Sequence, residues 1–366
     1  MQTRVIMLAD FDYFFAQCEE LRNPTIKDKP IVVGVYSGRT EESGAVSTSN
    51  YVARKYGVKS GLPLFLAKKK LEGLDPVFFP VDHEYYDQIS NRIMAIFRTY
   101  ATAIEQVSVD EAYLDVTKQV EGSFDKAREY AQKIKADVKT QVGISFTIGV
   151  GPNKIIAKIA CDSQKPDGLT IVKPEEAQAF LAPLSVDRLL GVGKKTTVRM
   201  EQMGIKTIGD LAKYDAQRLI EVFGKAMGIY FHNAANGLDN EPVQEQGEAE
   251  SISKIATLKQ DTHDLEYIMQ KCDELTDIVY KEVVEKGYSF KTVSIYMVNV
   301  DLSSKSRSVT LEQPAKDKET IRRNVRMLFE RYLAETPLDI RRVGVRVASF
   351  SKEERKQKSL TSFFQA

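Results

Sequence analysis

Leu8-Ala9-Asp10-Phe11-Asp12-Tyr13 near the start and Val107-Ser108-Val109-Asp110-Glu111-Ala112-Tyr113-Leu114-Asp115 about a hundred residues later are two acidic segments in apolar, strand-like surroundings. The first follows Val5-Ile6-Met7-Leu8-Ala9, an apolar run too short for a secure helix and typical of a buried strand. The second lies between Ala103-Ile104-Glu105-Gln106-Val107 and Ala112-Tyr113-Leu114-Asp115-Val116, which read as two strands joined tightly. A carboxylate within a buried strand is costly unless it is paired or bound to a cation. Asp10, Asp110 and Glu111, brought together, repel one another until hard divalent cations neutralise them, and Mg2+ is the natural occupant. The pairing therefore points to a two-metal phosphoryl-transfer site. A lone Asp at a strand end is more often a turn former or a cap, and Asp12 and Asp115 are left in that role. Asp110-Glu111, flanked by apolar residues on both sides, is not a solvated charge run.

Composition bounds the rest. A chain of 366 residues, 43% hydrophobic and 28% charged, has the makings of two to four ordinary globular domains with ample core. No apolar run approaches a membrane span and the N-terminus lacks a signal-peptide pattern, so a cytoplasmic protein is expected, or a nuclear one in a eukaryote. Cys18, Cys161 and Cys272 are widely spaced and odd in number, which speaks for a reducing compartment and against a zinc site. The net charge of +1 excludes nothing, because nucleic-acid binding needs a basic face and not a basic total.

Patterning along the chain predicts a multidomain α+β protein. Short strands such as Pro30-Ile31-Val32-Val33-Gly34-Val35 alternate with helical stretches such as Ser49-Asn50-Tyr51-Val52-Ala53-Arg54-Lys55-Tyr56. Ser145-Phe146-Thr147-Ile148-Gly149-Val150 then turns into a helix from Lys154 to Cys161. Residues 172 to 237 look wholly helical and carry Gly191-Val192-Gly193-Lys194, a turn that exposes backbone N–H groups at a helix N-terminus, suited to a phosphate oxygen. With Lys195, Arg199 and Gly204-Ile205-Lys206-Thr207-Ile208-Gly209-Asp210-Leu211 it reads as a helix-hairpin-helix that grips a duplex backbone. Residues 238 to 250 lack apolar periodicity and read as a linker. Strands near 251 to 258, 291 to 300, 304 to 311 and 341 to 350, with helices ending near Glu285 and spanning 321 to 334, make a further α+β unit. Alternation places Arg342, Gly344 and Arg346 on one face of the last strand. Lys254, Lys291, Lys305 and Arg307 recur on the other strands, so one basic sheet face against a duplex is expected.

Ala9-Asp10-Phe11-Asp12-Tyr13-Phe14-Phe15, Ser108-Val109-Asp110-Glu111-Ala112-Tyr113 and Gly191-Val192-Gly193-Lys194 resemble the Y-family translesion DNA polymerases, specifically the polymerase IV and kappa branch and most of all its archaeal members. The resemblance runs from about residue 4 to the final Phe pair. It implies a right-hand polymerase with a palm (1-13 and 82-171), fingers (14-81), a helical thumb (172-237), a linker (238-250), an α+β little finger (251-350) and a tail (351-366). The family motif assigns Thr48, Tyr51, Arg54 and Lys165 to the incoming phosphates, with Tyr13 and Phe14 beside them. Their chemistry agrees: a guanidinium fork, an ammonium and two hydroxyls are fixed donors for a triphosphate, and Tyr51 and Arg54 share a helix face. Phe15 sits at the family's steric gate, where an aromatic ring under the sugar leaves no room for a 2′-hydroxyl. Val35, Gly44, Ala45 and Ser47 lie over the nascent base pair, and the small side chains among them imply a roomy, error-tolerant site.

By the same resemblance Asp10 and Asp110 bridge two Mg2+ ions, with Mn2+ as a substitute. Glu111 holds the ion that activates the primer 3′-hydroxyl, and the carbonyl of Phe11 completes the second shell. No residue is an obvious general base, and no segment remains for a proofreading exonuclease. The tail Gln357-Lys358-Ser359-Leu360-Thr361-Ser362-Phe363-Phe364 matches the peptides that bind a ring-shaped sliding clamp; one turn brings Leu360, Phe363 and Phe364 together as an apolar plug, with Gln357 beside it. Primer-template DNA, a deoxynucleoside triphosphate and the clamp are thus the expected partners of a distributive monomer, with no membrane. Three rival readings rank lower. A nucleotidyl cyclase needs neither the hairpin nor the clamp peptide. A noncatalytic DNA and clamp adaptor loses the acids. A helix-hairpin-helix glycosylase needs a partner Lys that Asp210 lacks.

Overall fold

Ile6–Phe11 forms strand β1 and is buried along its whole length, because both of its faces are covered. This computed structural model describes residues 3–245, 247 and 249–352. They divide into two compact units: residues to Gly34, Val46–Leu62 and 66–245 in the first, and Val35–Ala45, Pro63–Phe65 and those after 246 in the second.

In the first unit Val5, Met7, Ala9 and Phe11 point to one side of β1, where Phe14 of helix α1 (Phe14–Arg22) joins them. The chain continues through β2 (Ile31–Tyr36), β3 (Gly44–Ser49), the single turn α2 (Tyr51–Arg54), α3 (Leu64–Lys70) and β4 (Val77–Pro80). These strands form a small sheet of order β3-β2-β4. Next come α4 (His83–Tyr100), β5 (Ala103–Gln106), β6 (Glu111–Asp115), α5 (Phe124–Gln141), β7 (Phe146–Gly151), α6 (Lys154–Ser163) and β8 (Leu169–Ile171). The five-stranded sheet β5-β6-β1-β7-β8 results, with β1 antiparallel to both neighbours. The apolar rows Ile89-Ile93-Phe97 of α4 and Ala127-Ala131-Ile134-Val138 of α5 repeat at three and four residues and cover one face of the sheet. Each helix starts on a side-chain cap, Asp82 to the Tyr85 N–H and Ser123 to the Lys126 N–H.

The other face of β1 carries Ile6, Leu8 and Asp10, and α6 closes over it. The opposed positions on β7 are Gly151, Gly149 and Thr147. A Cβ on Gly149 would lie 2.1 Å from the Ala157 carbonyl oxygen and 2.2 Å from the Cys161 nitrogen, so the helix rests on the strand only because that side chain is missing.

Helices α7 (Ala177–Leu181), α8 (Lys194–Gln202), α9 (Ile208–Lys213), α10 (Ala216–Phe223) and α11 (Lys225–Ala235) gather around Leu181, Leu189, Met200, Leu211, Leu219 and Phe231. The polar stretch after them has no helix or strand, yet it is docked: Arg4 donates to the carbonyls of Asp239, Asn240 and Glu241, and Val243 is buried with Ile6, Leu8 and Tyr113. One apolar side chain in a polar run carries no periodicity, so only the fold reveals this contact.

The second unit runs β9 (Ser251–Thr262), α12 (Leu265–Glu285), β10 (Tyr288–Asn299), β11 (Ser304–Ala315), α13 (Lys318–Glu335) and β12 (Ile340–Lys352), with an antiparallel sheet of order β11-β10-β12-β9. Val343, Val345 and Val347 pack under the two helices with Val293, Ile295, Met297, Ile268 and Phe329, and Arg342 and Arg346 are exposed on the other side. The register corrects the expectation of a single basic face. Lys254 stands opposite Val345, Lys305 opposite Met297 and Arg307 opposite Ile295, so all three lie on the helix-covered face. Lys254 pairs there with Glu282 at 2.7 Å and Arg307 with Glu335 at 2.9 Å. Lys291 falls at the bulge between Phe290 and Thr292. The open face instead presents Arg342 and Arg346 among Ser253, Thr257, Ser294, Ser304, Ser306 and Ser308.

Candidate active site

The antiparallel pairing of β1 with β6 sets Asp10 directly opposite Glu111, and the Phe11 N–H donates to the Asp110 carbonyl at 2.8 Å beside them. Both side chains face α6, from which Lys158 reaches down. Its Nζ donates to Glu111 Oε2 at 2.8 Å and to Asp10 Oδ2 at 3.4 Å. Lys165 donates to the same Asp10 oxygen at 2.6 Å. Asp162 completes the network, 3.0 Å from Lys165 and 3.8 Å from Lys158. Burial pushes the Glu111 carboxyl above the usual range, with Lys158 pulling against it. Burial presses the Lys158 ammonium down, but the bond it donates to Glu111 and the charges of Glu111, Asp162 and Asp10 outweigh it and hold it protonated. Lys165 is held up in the same way, chiefly by Asp10.

Asp10 and Glu111 therefore gather their oxygens around one cation, an arrangement of hard donors that fits a divalent ion. The expected three-acid cluster is not ready-made. Asp110 accepts from the Ser108 hydroxyl at 2.6 Å, and among the described residues no three His, Cys, Asp or Glu side chains converge at metal-binding distance. A hydroxyl two residues away holds the Asp110 carboxylate instead.

The proposed triphosphate residues lie in the same unit. Tyr13 takes a left-handed conformation (φ 38°) at the start of α1, whose first N–H groups have no side-chain cap. The Tyr13 ring meets Tyr51 edge to face at 5.3 Å, and the Arg54 guanidinium lies 4.7 Å over Tyr51 while its Nε donates to the Ser49 carbonyl. Burial raises the Tyr51 hydroxyl, Asp12 adds to this, and Arg54 and Lys165 oppose it, so these charges act on one spot. Thr48 and Ser47 are half-buried on β3. Phe15 stacks on Tyr86 at 4.4 Å. Phe14 departs from expectation: its ring is buried in the core against Phe11, which leaves only its backbone to meet a nucleotide.

Asp12 is structural, as its sequence context implies, and its task is specific. It accepts from the Thr147 hydroxyl at 2.9 Å and from the Asp167 N–H at 2.8 Å, and Lys135 binds the Asp167 and Gly168 carbonyls. The turn that presents Lys165 is thereby pinned from two sides. Lys158 and Asp162, which join the network around Asp10 and Glu111, are the residues of this cluster that sequence reasoning missed. Their spacing of four on a helix is the only local signal, and it is shared by ordinary surface pairs.

Elsewhere, Gly191 (φ +84°) makes the turn into α8, whose N-cap Gly193 has no side chain to cap it and whose first residue Lys194 is exposed. Asp210 closes a capping box with the N-cap Thr207 at the start of α9, accepting from the Lys206 and Thr207 N–H groups. In the second unit Val35 is exposed, and Gly44, followed by Ala45, packs so closely that a Cβ would lie 2.3 Å from the Val35 carbonyl oxygen. Gln357, Leu360, Phe363 and Phe364 lie outside the described residues.

Comparison with known proteins identifies the family. The impB/mucB/samB family model matches residues 9–162, its C-terminal domain model 249–360, and a thumb-domain model described for DNA polymerase-iota 187–239. DNA polymerase IV of Nitrosopumilus maritimus is 44% identical over 365 residues, and that of Methanosarcina acetivorans 41% over 372, each alignment covering 100% of both chains. Among solved structures, a Y-family DNA polymerase chimera of Dbh and Dpo4 superposes with a TM-score of 0.90 at 35% identity, covering 95% of this chain and 99% of its own. An insertion ternary complex of Dbh DNA polymerase gives 0.67 at 35% identity, covering 94% and 98%. Through its whole length this chain belongs to the impB/mucB/samB family, the Y family of DNA polymerases.

Proposed function

We propose that the chain is a template-directed DNA polymerase that adds deoxynucleoside triphosphates to a primer 3′ end and serves synthesis past damaged template bases. The observation that carries this reading is Asp10 opposite Glu111 around a single cation, in a chain similar over its full length to proteins named DNA polymerase IV. A noncatalytic adaptor has no use for that constellation. Y-family DNA polymerases need divalent metal ions. Here Asp10, Glu111, Asp110 and the Phe11 carbonyl are the residues that would hold two Mg2+ or Mn2+ ions. Such ions supply a lowered pKa for the attacking hydroxyl and neutralise the leaving pyrophosphate.

The chain's own residues do the positioning. Arg54, Tyr51, Thr48 and Lys165 clamp the phosphates, and the uncapped start of α1 at Tyr13, Phe14 and Phe15 offers backbone N–H groups to the same anion. Phe15, backed by Tyr86, bars the 2′-hydroxyl of a ribonucleotide. By the family resemblance Val35, Gly44, Ala45 and Ser47 serve the nascent base pair, and the small side chains among them speak for low fidelity. Gly191, Gly193 and Lys194 hold the duplex backbone, as do Arg342 and Arg346. The peptide with Gln357, Leu360, Phe363 and Phe364 docks the protein, as a cytoplasmic monomer, on a sliding clamp. Among the described residues no helix is long and apolar enough to cross a membrane.

Primer extension on undamaged and abasic templates with Mg2+ and single nucleotides tests this reading. Error-tolerant addition should fall about a hundredfold or more in Asp110→Ala and Glu111→Ala, since losing only an outer partner of a metal ligand already costs about ten- to a hundredfold. Retained duplex binding with no extension by the intact chain would return the adaptor reading.

A further inference from the structure

Lys158 and Lys165 sit on carboxylates that the proposed reaction needs for metal, and one neighbouring acid has no part in that reaction. Asp162 lies one helical turn beyond Lys158, with Oδ2 3.8 Å from Lys158 Nζ and Oδ1 3.0 Å from Lys165 Nζ. Lys158 Nζ thus already stands among three carboxylates, at 2.8 Å from Glu111, 3.4 Å from Asp10 and 3.8 Å from Asp162. The Asp162 side chain is 33% exposed against 13% for Asp10 and 18% for Glu111, so it lies nearest the rim of the three and is the most accessible partner for a displaced lysine. Divalent ions placed between Asp10 and Glu111 with both ammoniums still in position would crowd like charges into a half-buried pocket. A small swing of the Lys158 and Lys165 side chains toward Asp162, at the end of α6, would relieve this.

We propose that Asp162 is a positioning residue that receives Lys158 and Lys165 when divalent cations take Asp10 and Glu111, so that metal entry proceeds by exchange of partners. In the metal-free protein Lys158 is the placeholder that keeps Asp10 and Glu111 facing each other. Afterwards Asp162 keeps Lys165 at the rim of the site, where the triphosphate arrives. This rests on the reading of Asp10 and Glu111 as metal ligands, and the test separates the two.

Mn2+ binding to the full chain without DNA, followed by the paramagnetic resonance signal of free Mn2+, is measured for the parent and for Asp162→Asn, Asp162→Glu, Lys158→Met and the double variant Lys158→Met with Asp162→Asn. Asp162→Asn should weaken binding about tenfold, the scale for a group that orients a metal ligand. Lys158→Met should tighten it, and should lower the unfolding midpoint of the metal-free protein, which Mn2+ then restores. Asp162→Glu, which keeps the carboxylate, should bind as the parent does. The double variant should bind at least about threefold tighter than additivity predicts, because the lysine to be handed over is gone. Additive effects would reduce Asp162 to a distant charge, and unchanged affinity in Asp162→Asn would remove it altogether; either overturns the proposal. Lys158→Met carries the test alone if Asp162→Asn fails to fold, since unchanged Mn2+ affinity there also overturns it. Asp10→Asn is the control: if it leaves Mn2+ binding intact, the metal-site reading itself has failed.

Discussion

Phe15 stacks on Tyr86 with 20° between the ring planes, and His83 stands edge-on at 6.2 Å, so the ring proposed as the gate has little freedom to move aside. Phe15→Ala should therefore lower the preference for deoxy- over ribonucleotides by roughly a hundredfold, about what exclusion of one hydroxyl supplies, read as the ratio of kcat/KM for dCTP and CTP on one template. An unchanged ratio would place the gate elsewhere. Gly149 matters for the opposite reason, an absent side chain. Gly149→Ala forces α6 off β7 and should destabilise the protein by about 1–3 kcal/mol, seen as a lower Tm, with activity falling because α6 carries Lys158. At this scale Asp10 and Glu111 were legible, since a carboxylate in an apolar strand demands a partner. Lys158 was not, because nothing local distinguishes it from a surface lysine.

At the scale of elements, the alternation of β12 was legible and its register was not. Arg342 and Arg346 are exposed on the open face of the four-stranded sheet, whereas Lys254 and Arg307 are engaged with Glu282 and Glu335 on the helix side. Replacing Arg342 or Arg346 with Gln should weaken duplex binding irrespective of sequence and reduce the slope of log K against log salt by about one for each. Lys254→Gln and Arg307→Gln should leave that slope alone. A slope that responds equally to all four would mean that both faces meet DNA. Several helix starts carry side-chain caps in the fold: Asp82, Ser123, Asn153, Thr207, Asp215 and Asp264 all accept from first-turn N–H groups. Among the starts without such a cap, which include those of α7 and α11, the ones at Tyr13 and Gly193 are given to phosphates by the proposed function.

For the whole molecule, each unit has its own core, one around β1, α4 and α5 and one under the four-stranded sheet, so each is stabilised by its own burial. Removing residues 357 to 366 should leave synthesis on bare primer-template unchanged and cut the stimulation by a loaded sliding clamp about tenfold or more, because tethering acts through effective concentration. Equal stimulation with and without the tail would place the clamp contact elsewhere. The sequence by itself determined the order of the elements, the acids that need a cation, the glycine turns and the apolar rows of the helices. All of these are local: they depend on period, side-chain size and charge within a few neighbours. Only the tertiary structure decided that Asp10 meets Glu111 while Asp110 turns to Ser108, that Lys158 stands between the first two, and which basic residues share a sheet face. Those facts depend on strand register and on α6 settling onto Gly149, contacts between residues up to a hundred or more positions apart that no local pattern encodes.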